Sequence, residues 1–223
     1  MTALFDALQN RRSTRRFLDK PVEKATLERI LTSARRAPSG ANLQPGFAYL
    51  LTGEPLAQLS DRLCDAFEQS DTRPEEYDYF PQPMPAYLKA RQREVGYALY
   101  NSLGIARRDI PGRLAQHRRN FHFFDAPVGL VITIERAMGK GCYMDLGMFI
   151  QSIFLAAQGE GVDSCGIGAL ASYPHIIREQ LALPNNELVV CGMALGYGDP
   201  SAPENQFETP RAPLDEYARF LGF

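Results

Sequence analysis

Apolar residues recur at helical spacing from the start of the chain. Between Thr2 and Arg12, Leu4, Phe5, Ala7 and Leu8 share one face and Arg11 and Arg12 complement the end, which predicts a short helix. Residues 23–38 repeat the pattern with Leu27, Ile30, Leu31 and Ala34, and Pro38 stands just beyond, so a second helix ends there. Three β-rich runs, FAYLLT at 47–52, VGLVITIE at 128–135 and ELVVCGMALGYG at 187–198, are the expected sheet. Residues 54–68 read as helix. The stretch 70–85, SDTRPEEYDYFPQPMP, carries prolines and acids that oppose regular structure, and two helices broken near Pro111 follow it up to Phe124. This excursion, about 70–124, reads first as an ordinary amphipathic pair and alternatively as a lid, because long excursions from compact domains often carry function. Residues 142–159 differ: apolar side chains occur all round the helix, Gly161 offers its stop, and such a helix must be covered on every side. The tail, 198–223, has prolines at 200, 203, 210 and 213 and ends with Leu214, Tyr217, Phe220, Leu221 and Phe223. An extended arm with so much apolar surface wraps its own core or embraces a second subunit, and the prolines favour the embrace.

Composition narrows the class. A chain of 223 residues, 45% hydrophobic, can bury a sizeable core as one large domain or two small ones, and no internal repeat or low-complexity tract divides it. The net charge of -2 gives no global pull toward nucleic acid, so anion binding has to come from local clusters. No apolar run is long enough to span a membrane and no leader-like segment opens the chain, so the expected location is cytoplasmic. Cys64, Cys142, Cys165 and Cys191 are scattered without a C-x-x-C pair, and His117, His122 and His175 lack ligand spacing, so neither a disulfide framework nor a metal site is expected.

Four constellations could carry chemistry. The first is NRRSTRRF, where Arg11, Arg12 and Arg15 offer planar forks of donors suited to phosphate or carboxylate and Ser13 adds a hydroxyl; Arg16 reads as a surface residue. The second is APSGANLQP, 37–45, in which Pro38, Ser39, Gly40 and Asn42 make a stiff, polar loop able to hydrogen-bond a planar heterocycle, though any loop uses these residue types. In DSCGIGALASYP, 163–174, Gly166 and Gly168 bracket Ile167 and let the backbone approach a flat ligand; the alternative is a glycine-rich connection. The fourth is ETPRAP, where Arg211 is held extended between prolines and could close a phosphate site from the far end of the chain. No G-x-S-x-G elbow, Walker loop or spaced carboxylate pair is present, so an enzyme built this way would leave the hard chemistry to a cofactor.

Taken in order, RRSTRRF, APSGANLQPG, the apolar helix, CGIGAL, GMALGYGDP and TPRAPLDE resemble the nitroreductase family of FMN-dependent oxidoreductases, with YALYNSLGIARRD closest to its nitrobenzoate and nitroaromatic reductase branch. The resemblance implies an α+β fold in one domain, 1–223: a central mixed β-sheet flanked by helices, in an intertwined homodimer whose C-terminal arms are exchanged. It implies FMN as cofactor, NADH or NADPH as electron donor, and ping-pong electron transfer to electron-poor aromatics, chiefly nitro compounds. Carried over by position, Arg11, Arg12, Ser13, Arg15 and Arg211 bind the flavin phosphate, ribityl chain and pyrimidine edge. Pro38, Ser39, Gly40 and Asn42 reach the flavin from the other subunit, and Ile167 and Gly168 lie against its ring. Tyr97, Tyr100, Arg107 and Phe124 are candidate substrate-sorting residues of the lid. Two departures stand out: Thr209 where many relatives carry lysine, and Gly168 where several carry an acid. Rival expectations are reductive dehalogenation, enoyl reduction or flavin fragmentation within the same superfamily, and, from another class, an arginine-rich binding module without enzymatic activity.

Overall fold

The computed structural model describes residues 3–71 and 76–223; Thr2 of the first expected helix and residues 72–75 of the excursion lie outside the described residues. The sheet forms around its most apolar strands. Phe47–Thr52 (β1), Val128–Glu135 (β2), Asp163–Ile167 (β3) and Glu187–Gly196 (β4) line up in the order β1-β2-β4-β3, each neighbour antiparallel. The two inner strands, β2 and β4, are therefore covered on both faces, which is why their sequences are continuous apolar runs rather than alternating ones.

Helices supply the cover. Lys24–Ala34 (α2) and Lys140–Gly159 (α6) pack Leu27, Ile30, Leu146, Phe149 and Ile153 onto Leu130, Ile132, Ile134 and Met193. On the opposite face, Gly53–Glu68 (α3) and Pro174–Gln180 (α7) pack Leu59, Leu63 and Ile177 with Phe121, Phe123 and Phe124 onto Val131, Val189 and Ala194. Each fully buried leucine, isoleucine or phenylalanine contributes about 1.5–3 kcal/mol, so these two layers are the main source of stability. The helix α6 stops as its glycine suggests. Gly161 has φ +70, Val162 N–H donates to the carbonyl of Ala157 at 2.9 Å and Gly161 N–H to that of Gln158 at 3.2 Å, a Schellman closure.

The excursion contains the two expected helices, Ala86–Ser102 (α4) and Ile110–Arg118 (α5), the second capped by the Asp109 carboxylate accepting from Gly112 N–H at 2.9 Å. A short helix, Ala3–Asn10 (α1), opens the described chain, and a single turn, Leu214–Tyr217 (α8), interrupts the tail.

Two expectations need correction. The sheet is antiparallel, not mixed; the one parallel pairing among the described residues is the isolated bridge of Ser13 with Ser164. The strand β3 is not among the three expected strands; its residues read as backbone open to a flat ligand or, alternatively, as a glycine-rich connection. DSCGI is five residues long and its one β-branched residue is Ile167, so propensity does not reveal it; pairing of Cys165 with Ala194 and Gly166 with Met193 on β4 makes it a strand. The helix α6, expected to be covered all round, leaves Met144 71% exposed in this single chain, and Phe5 of α1 is 55% exposed.

Candidate functional site

The two ends of the chain meet beside β3. Thr14 N–H donates to Ser164 carbonyl at 3.0 Å, Leu18 N–H to Tyr197 carbonyl at 2.7 Å and Asp199 N–H to Arg16 carbonyl at 3.0 Å. Extended backbone alternates its side chains, and here Thr14 is buried while Arg11, Ser13 and Arg15 are half-buried and emerge on the other side. They open into a cavity of about 480 Å3 lined by Leu8–Asn10, Arg11, Arg12, Ser13, Arg15, Gln151 of α6, and Phe207, Glu208, Thr209 and Arg211 of the tail. The structure thus brings Arg11, Arg12, Ser13, Arg15 and Arg211 together, across 200 positions of sequence between Arg11 and Arg211.

Four guanidinium groups and one carboxylate, Glu208, line this cavity, so its charge is strongly positive. Among the described residues none of its four guanidinium groups forms an ion pair, whereas Arg16 pairs with Asp125 at 2.8 Å and Arg119 with Glu204 at 2.6 Å. The four are held instead by neutral groups. Arg12 Nη1 donates to the Asn205 carbonyl at 3.0 Å and Arg15 Nη1 to the Ser13 carbonyl at 3.2 Å. Arg11 lies 5.5 Å from the centre of the Phe154 ring and Arg15 5.8 Å from that of Phe207. Arg211 Nη1 donates to the carbonyl of Thr209 at 2.8 Å and to its hydroxyl at 2.7 Å, so the threonine that replaces an expected lysine orients the remaining cation. Burial, and next the charge of Arg211, pull the Arg11 pKa below its ordinary value. A guanidinium has five N–H donors, so each of these arginines keeps capacity for an anion.

The neighbouring segment is flat backbone. Ile167 buries its side chain in the core, and Gly168 is where the ring of Tyr79 comes down: a Cβ there would sit 2.9 Å from Tyr79 Cζ. Phe154, already beside Arg11, would lie 3.1 Å from a Cβ on Gly166, so it joins the arginine cavity to the glycine strip.

The loop at 38–45 stands apart from that cavity within one chain. It is tightly made: Ala41, Asn42 and Gln44 have φ of 48, 56 and 49, Ser39 Oγ accepts from Gln44 N–H at 2.9 Å, Gly40 N–H donates to Asp145 Oδ2 at 3.1 Å, and Arg35 donates to the carbonyls of Gln44 and Gly46 at 3.1 and 3.0 Å. Three non-glycine residues in the left-handed region, each costing about 1–3 kcal/mol, are the kind of strain that collects at functional loops.

The lid candidates divide. Tyr97 and Tyr100 are half-buried on α4 and receive Arg107 and Arg113 at 5.4 and 4.9 Å from their ring centres, outside the arginine cavity. Phe124 is a correction: it is 2% exposed and belongs to the core over α3, because the turn at 123–125 folds the FHFF run inward just before β2. Sequence reasoning missed Phe207, Gln151 and Asn205, which line or hold the cavity; a lone residue of these types in a tail or helix carries no signal.

The sequence profile described as the Nitroreductase family matches residues 8–197. The chain belongs to the nitroreductase family. Across the family it is 37% identical to a nitrobenzene nitroreductase of Ectopseudomonas oleovorans, over 97% of this chain and 96% of that one. It is 34% identical to a 4-nitrobenzoate reductase of Pseudomonas putida, over 100% and 98%. Among solved nitroreductases, the FMN and NADPH-dependent NfnB from Sphigopyxis sp. strain HMH superposes with a TM-score of 0.95 at 40% identity, each chain covered in full. The FMN-dependent NfnB from Mycobacterium smegmatis, solved in complex with NADPH, gives 0.94 at 26% identity over 98% of both chains. None of the described helices is long and apolar enough to cross a membrane.

Proposed function

We propose that this nitroreductase binds FMN in the arginine cavity and carries electrons from NADH or NADPH to nitroaromatic compounds by a ping-pong sequence. The observation that carries the reading is the set of four arginines, from both ends of the chain, around one cavity of about 480 Å3 with no carboxylate partner among the described residues. A phosphate monoester fits that set: it supplies the negative charge that the lowered Arg11 pKa lacks, and its oxygens suit bidentate donors. Bound FMN would supply hydride and electron transfer between nicotinamide and nitro group.

The residues have separate tasks in this reading. Arg11, Arg12, Arg15 and Arg211 hold the phosphate, and Ser13 donates to the ribityl side. Ile167 and Gly168 would lie against the ring with their backbone, at the place where Tyr79 stands over Gly168. Pro38, Ser39, Gly40 and Asn42 complete the site from the second subunit of a homodimer, which agrees with their distance from the cavity in one chain and with the exposed apolar residues of α1, α6 and the tail. Tyr97, Tyr100 and Arg107 sort the aromatic acceptor. No side chain acts as nucleophile; the protein binds, orients and excludes water. The names of the relatives, nitrobenzene, chloronitrobenzene and 4-nitrobenzoate reductases, support a small nitroaromatic as acceptor.

The test is direct. Purified protein should show a flavin absorption band, lost in an Arg12→Ala/Arg15→Ala variant, and should oxidise NAD(P)H when nitrobenzene or 4-nitrobenzoate is added. A colourless protein that cannot be reconstituted with FMN rejects the reading, and turnover of a halophenol without any of a nitroarene moves it to another reaction of the superfamily.

A further inference from the structure

We propose that Asn205 is a positioning residue for the phosphate-binding arginines, an inference that rests on the reading of the cavity as an FMN phosphate site. Asn205 is 8% exposed, and a buried carboxamide has to satisfy its donors and acceptor internally. It does so on the backbone of the cradle. Its Oδ1 accepts from Arg15 N–H at 2.7 Å, while its Nδ2 donates to the carbonyls of Arg16 at 2.8 Å and Asp199 at 2.9 Å. Its own carbonyl accepts from Arg12 Nη1 at 3.0 Å. A single residue therefore fixes the backbone that carries Arg15 and aims the guanidinium of Arg12, while not itself lining the cavity.

The support beneath Asn205 is equally specific. Asn205 N–H donates to Ala202 carbonyl at 3.0 Å, which closes the turn at 203–205, and the adjacent Glu204, 5% exposed, accepts from Arg119 at 2.6 Å. Arg119 also reaches Asp125 at 3.2 Å, and Asp125 pairs with Arg16 at 2.8 Å. The turn is thus held from the excursion side while Asn205 holds the arginine side. No other residue type meets the same demands in the same length. An aspartate would accept from Arg15 N–H but set a carboxylate oxygen against two carbonyls, and an alanine would leave the Arg15 N–H without its acceptor and the Arg16 and Asp199 carbonyls with only their backbone donors, Asp199 and Ala202 N–H.

FMN and riboflavin share the isoalloxazine and ribityl chain and differ in the phosphate, so their affinities separate positioning of the arginines from general damage. The flavin-free protein is titrated with each by fluorescence quenching, as wild type, Asn205→Ala, Asn205→Asp and Gln206→Ala, the last removing only local bonds to the Pro200 and Ser201 carbonyls. Wild type is expected to prefer FMN strongly. Both Asn205 variants should lose about tenfold or more in FMN affinity while riboflavin affinity stays within about twofold, and Gln206→Ala should leave both unchanged. Variants that keep the wild-type preference, or that lose both flavins equally, overturn the positioning role while leaving the cofactor reading intact. Failure of both Asn205 variants to fold in the presence of FMN also overturns it, since the residue then serves the fold rather than the phosphate. A wild type with no preference for FMN over riboflavin refutes the phosphate site itself, and the inference with it.

Discussion

Four guanidinium groups around one cavity are costly in the flavin-free protein, and the cost has a direction. Burial first, and the like charge of Arg211 second, depress the Arg11 pKa, so at neutral pH the folded state holds a cation it would hold more readily unfolded. Removing Arg211 should therefore stabilise the flavin-free protein modestly at low ionic strength, a gain that fades as salt screens the repulsion, while weakening FMN binding by about 10- to 100-fold. Thermal midpoints with and without 0.5 M salt (roughly a 4 Å screening length), set beside FMN titrations, read both effects. The cysteines behave oppositely to a reactive site. Burial pushes the Cys64 thiol up to about 11 and the Cys191 thiol up to about 12. Their contribution to stability is complete below the ordinary thiol range and is lost as pH rises from that range through those values, and at pH 8 both should resist iodoacetamide in the folded protein and react once it is unfolded, as mass spectrometry would show. The packing of Cys191 against the core was legible in its strand, and so was the meeting of Arg11 and Arg211 at one cavity once their order along the chain was considered. Asn205 was not, because an asparagine among prolines looks the same whether it caps a loop or locks a distant arginine.

Elements with a long period were readable and short ones were not. The helices α2, α3 and α6 follow from apolar spacing with their stops at Pro38 and Gly161, whereas β3 exists because β4 offers it hydrogen bonds, a tertiary effect that five residues of sequence cannot announce. The start of the described excursion shows the same dependence on distant partners. Burial would push the Glu76 carboxyl up, but the N–H of Val189, at 3.0 Å, and the guanidinium groups of Arg136 and Arg178 outweigh it and hold the group below the usual carboxylate range. With Tyr77 Oη donating to Val190 carbonyl at 2.6 Å, these bonds staple residues 76–77 to β4 and bring Tyr79 down on Gly168. A depressed carboxylate contributes stability above its unfolded pKa and loses it as pH falls through the folded one. Glu76→Gln should cost about 1–3 kcal/mol in urea denaturation at pH 7, and the difference from wild type should begin to shrink as pH falls to the ordinary carboxylate range and vanish only below the depressed folded value.

At the scale of the molecule, a single chain leaves much apolar surface uncovered, which supports the proposed homodimer. Phe5 of α1, Met144 of α6 and, on the tail, Tyr217, Leu221 and Phe223 are all exposed, the last fully so. The homodimer with exchanged arms that the resemblance implies would cover these side chains. The all-round apolar character of α6 is what the proposed interface would explain, while the division of labour within the tail was not visible from its prolines. Residues 198–206 are welded to their own chain through Phe17, Arg16 and Asn205, whereas beyond Gln206 the described tail makes few bonds to its own body, the Arg91–Glu216 ion pair at 2.6 Å among them. Truncation after Gln206 consequently separates the two parts. The shortened protein keeps the Asn205 lock and the full sheet, so circular dichroism should report a folded chain. It loses Phe207 and Arg211 from the cavity and the apolar arm from the interface, so sedimentation should show a dimer weakened or absent and FMN affinity reduced by more than the Arg211→Ala change alone. Retention of a flavin-bound dimer would mean that α1 and α6 suffice for the interface. A flavin-bound monomer would mean that the arm closes the site within its own chain, and the exchange of arms between subunits would have to be abandoned.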